Sequence, residues 1–232
     1  MEIRKHIPNL CSLTSLALGF ASLDALLSGH PEWAVRHLLM ALLLDLAAGR
    51  LALALKARSA MGLELDQITG LATQGVLPMV LLWSLGLKGL GAWGLAVVAI
   101  GAAGAAFRLS RHNPETPETA EYRGLPLSVF GLASTLMAWA VMARLATPAL
   151  AVLAVLALSL LLNNSWGYLR MPQGPVFPLL TALLLALAAV GTPQAGGLLL
   201  ALAGLYAAFG HLPFLKKVGF LKPEASGEEK LA

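Results

Sequence analysis

The chain has 232 residues, 58% hydrophobic and 12% charged, with a net charge of +4 and a mean hydropathy of +0.76. A soluble domain carries about 25% charged residues, so half the usual solvent-facing material is missing and a water-soluble globule is excluded. The single cysteine, Cys11, excludes an internal disulfide framework and a cysteine-based zinc site.

Eight apolar runs follow in chain order, over residues 9–29, 33–55, 66–87, 89–107, 125–144, 147–163, 176–191 and 194–212. About 18 mostly apolar residues suffice to cross a hydrocarbon core, and lipid-exposed backbone must satisfy its own hydrogen bonds. The runs are too long and too rich in Leu and Ala for alternating barrel strands. The expected fold is therefore all-α, a polytopic membrane bundle of about eight transmembrane helices. Residues 1–215 form its transmembrane domain and 216–232 a polar tail. Turn signals separate the runs at Gly29-His30-Pro31, Thr147-Pro148 and Thr192-Pro193. The basic start leads into an apolar run with no clear cleavage site, which reads as a retained first span.

Eight spans put both termini on one side. That side collects Arg4, Lys5, Lys56, Arg58, Arg108, Arg111, Arg123, Arg170, Lys216, Lys217, Lys222 and Lys230, against Arg36, Lys88 and Arg144 opposite. The positive-inside rule makes the richer side cytoplasmic. The expected location is a prokaryotic cytoplasmic membrane, with no nucleic-acid partner. In the fourth run, Gly101 to Ala106 offers the small-residue surface that lets membrane helices pack closely.

Acidic residues inside such runs cost about 2.5–3.5 kcal/mol each on insertion scales and call for a reason. Asp45 lies mid-way along the second run, Asp24 near the outer end of the first, and Glu64 and Asp66 at the start of the third. Arg50 follows Asp45 at an offset of five, which does not place the two on one helix face. Asp45 therefore calls for a partner on another helix or for water in a cavity. Asp66 reads equally as a helix N-cap or as a functional carboxylate.

The spacing of these residues carries further information. Asp45, Ala48, Gly49, Ala52, Leu53, Gly62, Asp66 and Gly70 fall in the register D-x2-D-G-x2-A-R-x8-G-x3-D-x3-D. This resembles the signature of the CDP-alcohol phosphatidyltransferases, with Ala48, Leu53 and Gly70 in place of an aspartate, an arginine and an aspartate. Flanking text is similar to the bacterial phosphatidylserine synthase branch: Ile7-Pro8-Asn9-Leu10, Gly19-Phe20, Glu64-Leu65-Asp66, Gly75-Val76-Leu77-Pro78, Phe107-Arg108-Leu109-Ser110-Arg111 with Asn113, Gly124-Leu125-Pro126, and more faintly Tyr168 with Arg170. The likeness covers residues 1–130 well and the remainder by hydropathy alone.

The resemblance implies transfer of a phosphatidyl group from CDP-diacylglycerol to an alcohol such as serine. It implies Mg2+ or Mn2+ held by carboxylates, of which Asp45 and Asp66 remain. Gly49, Ala52 and Gly62 would line the nucleotide, and Arg108 and Arg111 would hold phosphate, although positive-inside topology alone also accounts for the two arginines. The general-base position is Gly70, so no catalytic residue is assigned. Three functions stay open at this point. They are a working transferase, a catalytically silent relative that binds CDP-lipid or pairs with an active paralogue, and an unrelated transporter. A homodimer or such a heterodimer fits the family's habit of pairing.

Overall fold

A computed structural model describes residues 3–111, 121–169, 176–191 and 193–211. Eight helices make up almost all of it: α1 (Ile3–Leu27), α2 (Pro31–Ala54), α3 (Ala60–Leu90), α4 (Ala92–Ser110), α5 (Leu127–Met142), α6 (Pro148–Asn163), α7 (Val176–Val190) and α8 (Pro193–Phe209). Every apolar run becomes a helix. Four of them, α1 to α4, are long and apolar enough to cross a membrane, whereas α5 to α8 are shorter apolar helices of 15–17 residues. The expected tail 216–232 lies outside the described residues, as does Arg170.

Two features depart from the sequence reading. A short antiparallel ribbon, β1 (Glu121–Arg123) with β2 (Gly167–Leu169), joins the segments before α5 and after α6. Its Tyr168 is fully buried and donates to the Ala207 carbonyl at 3.1 Å, tying the ribbon to α8. Burial, opposed in part by a hydrogen bond with Asn164, raises this phenol above its ordinary pKa and keeps it a donor. The second departure concerns α3, which starts six residues before the expected run. Its N-cap is Ser59, whose hydroxyl accepts from the Gly62 amide at 3.1 Å. The capping reading of Asp66 is thus overturned: a serine supplies the cap, and Asp66 stands inside the helix.

α1 and α2 form a hairpin turned at Gly29, whose φ of +79° suits glycine, and Pro31 opens α2 at a position where a missing N–H costs nothing. Hydroxyls replace hydrophobic drive between the two helices. Ser15 donates to the Ala41 carbonyl at 2.9 Å and Ser22 to the Ala34 carbonyl at 2.7 Å, both buried. One core gathers Leu38, Leu82, Phe130, Leu162 and Tyr168, and a second joins α2, α5, α7 and α8 through Leu39, Leu136, Leu185 and Leu199.

α3 is continuous but not uniform. Residues Leu71–Val76 and Trp83–Leu87 are π-helical. Pro78 lacks the N–H that the Gln74 carbonyl would accept and its ring crowds that carbonyl, so a widened turn before it has a local cause. Glycines make room for this wide segment. A Cβ at Gly131 of α5 would sit 2.7–2.8 Å from Gln74 backbone and Cβ atoms, one at Gly19 of α1 2.7 Å from Leu77 Cδ1, and one at Gly75 2.9 Å from the Ala105 methyl of α4. The small-residue face of α4 is likewise spent inside the chain, Gly101 against Met79 and Val155, and Gly104 against Asn163 and Ser159.

Gly131 meets backbone, which cannot swing aside, whereas Gly204 of α8 faces open space. Gly131→Ala is therefore expected to destabilise by about 1–3 kcal/mol through overpacking. Gly204→Ala should be neutral or gain up to about 1 kcal/mol from helix propensity. Thermal unfolding of the two purified variants in one detergent checks this, and equal stability would contradict the packing described.

Candidate functional site

Four helices meet around a cavity of about 160 Å³ at one end of the bundle. α2 contributes Asp45, the first half of α3 contributes Leu63, Asp66, Gln67, Gly70 and Gln74, the last turns of α4 contribute Arg108 and Leu109, and the start of α5 contributes Leu127. The local reasons are simple. Asp66, Gly70 and Gln74 follow one another at intervals of four and so share a face of α3. Arg108 ends an apolar helix, where a cation suits the helix dipole, and its Nε donates to the Leu125 carbonyl at 3.4 Å.

Asp45 is buried within α2. Its partner stands on another helix, one of the two arrangements its position called for: the Gln74 side-chain amide donates to Oδ2. The orientation of that amide follows from chemistry, since Gln74 Oε1 facing a carboxylate would set acceptor against acceptor. Asp45 Oδ1 is buried with no hydrogen-bond partner among the described residues. A Cβ built on Gly70 would lie 4.0 Å from Asp45 Oδ2 and 3.8 Å from Gln74 Nε2. Position 70 thus looks straight into the site, with ordinary contact distances and no functional group.

The sequence-derived residues divide. Asp45, Asp66, Gly70 and Arg108 converge on the cavity. Gly49 is exposed beside it in sequence, with nothing within 4 Å of a built Cβ, which leaves an open backbone surface one turn from Asp45. Ala52 is half-buried on the same helix and does not line the cavity. Gly62 lies at the crossing of α1 and α3, where its Cβ would meet Asn9 Oδ1 at 3.0 Å and Ser59 Oγ at 3.1 Å. Arg111 turns to α6, donating to the Asn163 carbonyl at 2.9 Å with its guanidinium 5.7 Å from the Phe107 ring centre. Glu64 is exposed, outside the cavity lining. Ala48, where the resemblance implies a second carboxylate, is 2% exposed and packed.

The sequence reading missed Gln67, Gln74, Leu63 and Leu127. For Gln74 a signal existed: it continues the four-residue interval from Asp66 and Gly70. Attention to carboxylates alone passed over an amide.

The donor set tests the divalent cations that the resemblance implies. A hard cation takes about six oxygen ligands, and a catalytic ion pair about 3.5–4 Å apart needs several bridging carboxylates. This site offers two carboxylates, one of them already bonded to an amide N–H. Among the described residues no three His, Cys, Asp or Glu side chains gather to hold a metal. The residues present do not fit a two-cation centre.

No curated protein matches the chain. The family model for CDP-alcohol phosphatidyltransferase does match, over residues 5–208. That match takes in all four helices around the cavity and most of the bundle beyond them, so the chain belongs to the CDP-alcohol phosphatidyltransferase family.

Proposed function

We propose that this chain is a member of phosphatidylserine synthase type that has kept the CDP-lipid cleft and does not itself turn over. The observation that carries this reading is Gly70. A Cβ built there would face the site 4.0 Å from Asp45 Oδ2, where the resemblance implies the base that deprotonates the attacking alcohol. General-base help contributes about 10²–10⁴-fold, and the position from which the resemblance would supply it is bare: Glu64 lies outside the cavity lining, Gln74 is an amide engaged with Asp45, and Asp66 and Asp45 stand where the resemblance implies metal ligands.

What the cleft's own residues can do is bind. Arg108 brings a guanidinium to the cavity, a group suited to paired phosphate oxygens. The cavity is below the roughly 300 Å³ of ordinary ligand pockets, so it suits a phosphate-sized group, with the nucleotide lying outward along the bare backbone at Gly49. A cytoplasmic cleft, an eight-span topology with both termini inside, and pairing with an active paralogue in a prokaryotic membrane complete the proposal; the charge asymmetry of the sequence supports the first two. Family membership favours a second reading, a working transferase using serine or another alcohol.

Two measurements test the proposal. Purified wild type given CDP-diacylglycerol, Mn2+ and a panel of alcohols is expected to release no CMP above background, whereas Ala48→Asp/Gly70→Asp is expected to release it. CMP from the wild type would establish the transferase instead. In nanodiscs containing CDP-diacylglycerol, Arg108→Ala should weaken lipid binding by about 10–100-fold, as for a lost charged hydrogen bond of about 1.5–3 kcal/mol. Arg111→Ala should leave it near wild type. Equal losses would contradict the different placements of the two arginines.

A further inference from the structure

We infer that Gln74 takes the place of a cation at Asp45, so that this cleft is held together and organised without divalent metal. The inference rests on the cleft assignment above but not on whether the cleft turns over.

Three observations converge on it. The Gln74 amide donates to Asp45 Oδ2 and so gives this buried carboxylate a neutral donor where a cation would otherwise compensate it, while Oδ1 is buried without a hydrogen-bond partner among the described residues. The two positions where a further carboxylate would complete a shared site carry Ala48, packed at 2% exposure, and Gly70, which bears no side chain. Gln74 is itself held in place. It sits in the π-helical turn Leu71–Val76, is 8% exposed, and its backbone is pressed by Gly131 of α5, where even a methyl group would approach to 2.7 Å. A side chain free to swing away could yield Asp45 to an incoming ion. Here the burial of Gln74 and the close approach of Gly131 to its backbone and Cβ restrict such movement. A buried carboxylate requires a compensating donor, and a neutral amide supplies one with no need for a second carboxylate to share an ion.

The role differs from that of a metal ligand in a way that substitutions can read. An acceptor for an amide can be neutral, so Asp45→Asn keeps the pairing. A ligand for a hard cation cannot be neutralised without loss.

The full chain in detergent is titrated with Mn2+, followed by loss of the free-ion electron paramagnetic resonance signal, and its unfolding temperature is measured with Mn2+ and with EDTA. Wild type is expected to take up no Mn2+ at concentrations up to about 1 mM, the weak end of protein sites for such cations. Its unfolding temperature should be the same in both conditions. Asp45→Asn should unfold within about 2 °C of wild type, and Gln74→Leu several degrees lower because it strands the carboxylate. If Gln74→Leu does not fold, Asp45→Leu/Gln74→Leu, which removes both partners, is expected to fold, and its failure would overturn the inference. So would stoichiometric Mn2+ uptake by wild type that Asp45→Asn abolishes, or a Gln74→Leu variant as stable as wild type. Uptake of Mn2+ with no CMP release would overturn this inference and leave the proposed silence intact. CMP release without Mn2+ uptake would do the reverse.

Discussion

A carboxylate half-way along an apolar helix costs about 2.5–3.5 kcal/mol to insert, and the packing around α3 is arranged about the way Asp45 is compensated. Its donor is the Gln74 amide, delivered from the π-helical turn Leu71–Val76 of α3. Pro78 withholds the amide that would close an ordinary turn on Gln74, and the wider turn needs space on three sides. Gly19, Ala105 and Gly131 supply that space from α1, α4 and α5. Small residues at these crossings are therefore more than general helix-packing surfaces. They border the turn from which Gln74 reaches Asp45.

Much of this was legible in the sequence. The apolar runs located all eight helices, because a charge-free stretch of that length has few other solutions. The motif register set Asp66 and Gly70 on one face of α3, since an interval of four selects one face of a helix, and the resemblance singled out Asp45 and Arg108 on the neighbouring helices. Other features depended on tertiary packing. The start of α3 was misplaced because the apolar run begins at Asp66, while the capping hydroxyl that begins the helix is Ser59, in polar sequence. The placement of Gly62 against Asn9 and of Arg111 against Asn163 depends on which helix lies alongside, which spacing within one segment does not contain. The β1–β2 ribbon joins segments more than forty residues apart in sequence, and neither three-residue strand has a pattern of its own.

On the function proposed above, the site is a family cleft that keeps its shape while its chemistry changes. Glycine at 49 leaves backbone bare for a ligand, and Arg108 stays at the cavity. In our reading the ions and base that the family resemblance implies have given way to one amide–carboxylate pair, and a site that held reacting groups has become one that holds a ligand. With glycine at position 70, Asp66 is the acidic neighbour that shares the cavity lining with Asp45, and a further repulsion is avoided.

The central claim, that Gln74 rather than a cation engages Asp45, is tested most directly by a crystal structure of the full chain grown with Mn2+ and CDP-diacylglycerol, with anomalous data collected at the manganese edge. The account predicts the Gln74 amide against Asp45 Oδ2 and no anomalous peak between Asp45 and Asp66. A manganese peak bridging those two carboxylates, with Gln74 displaced, would contradict it.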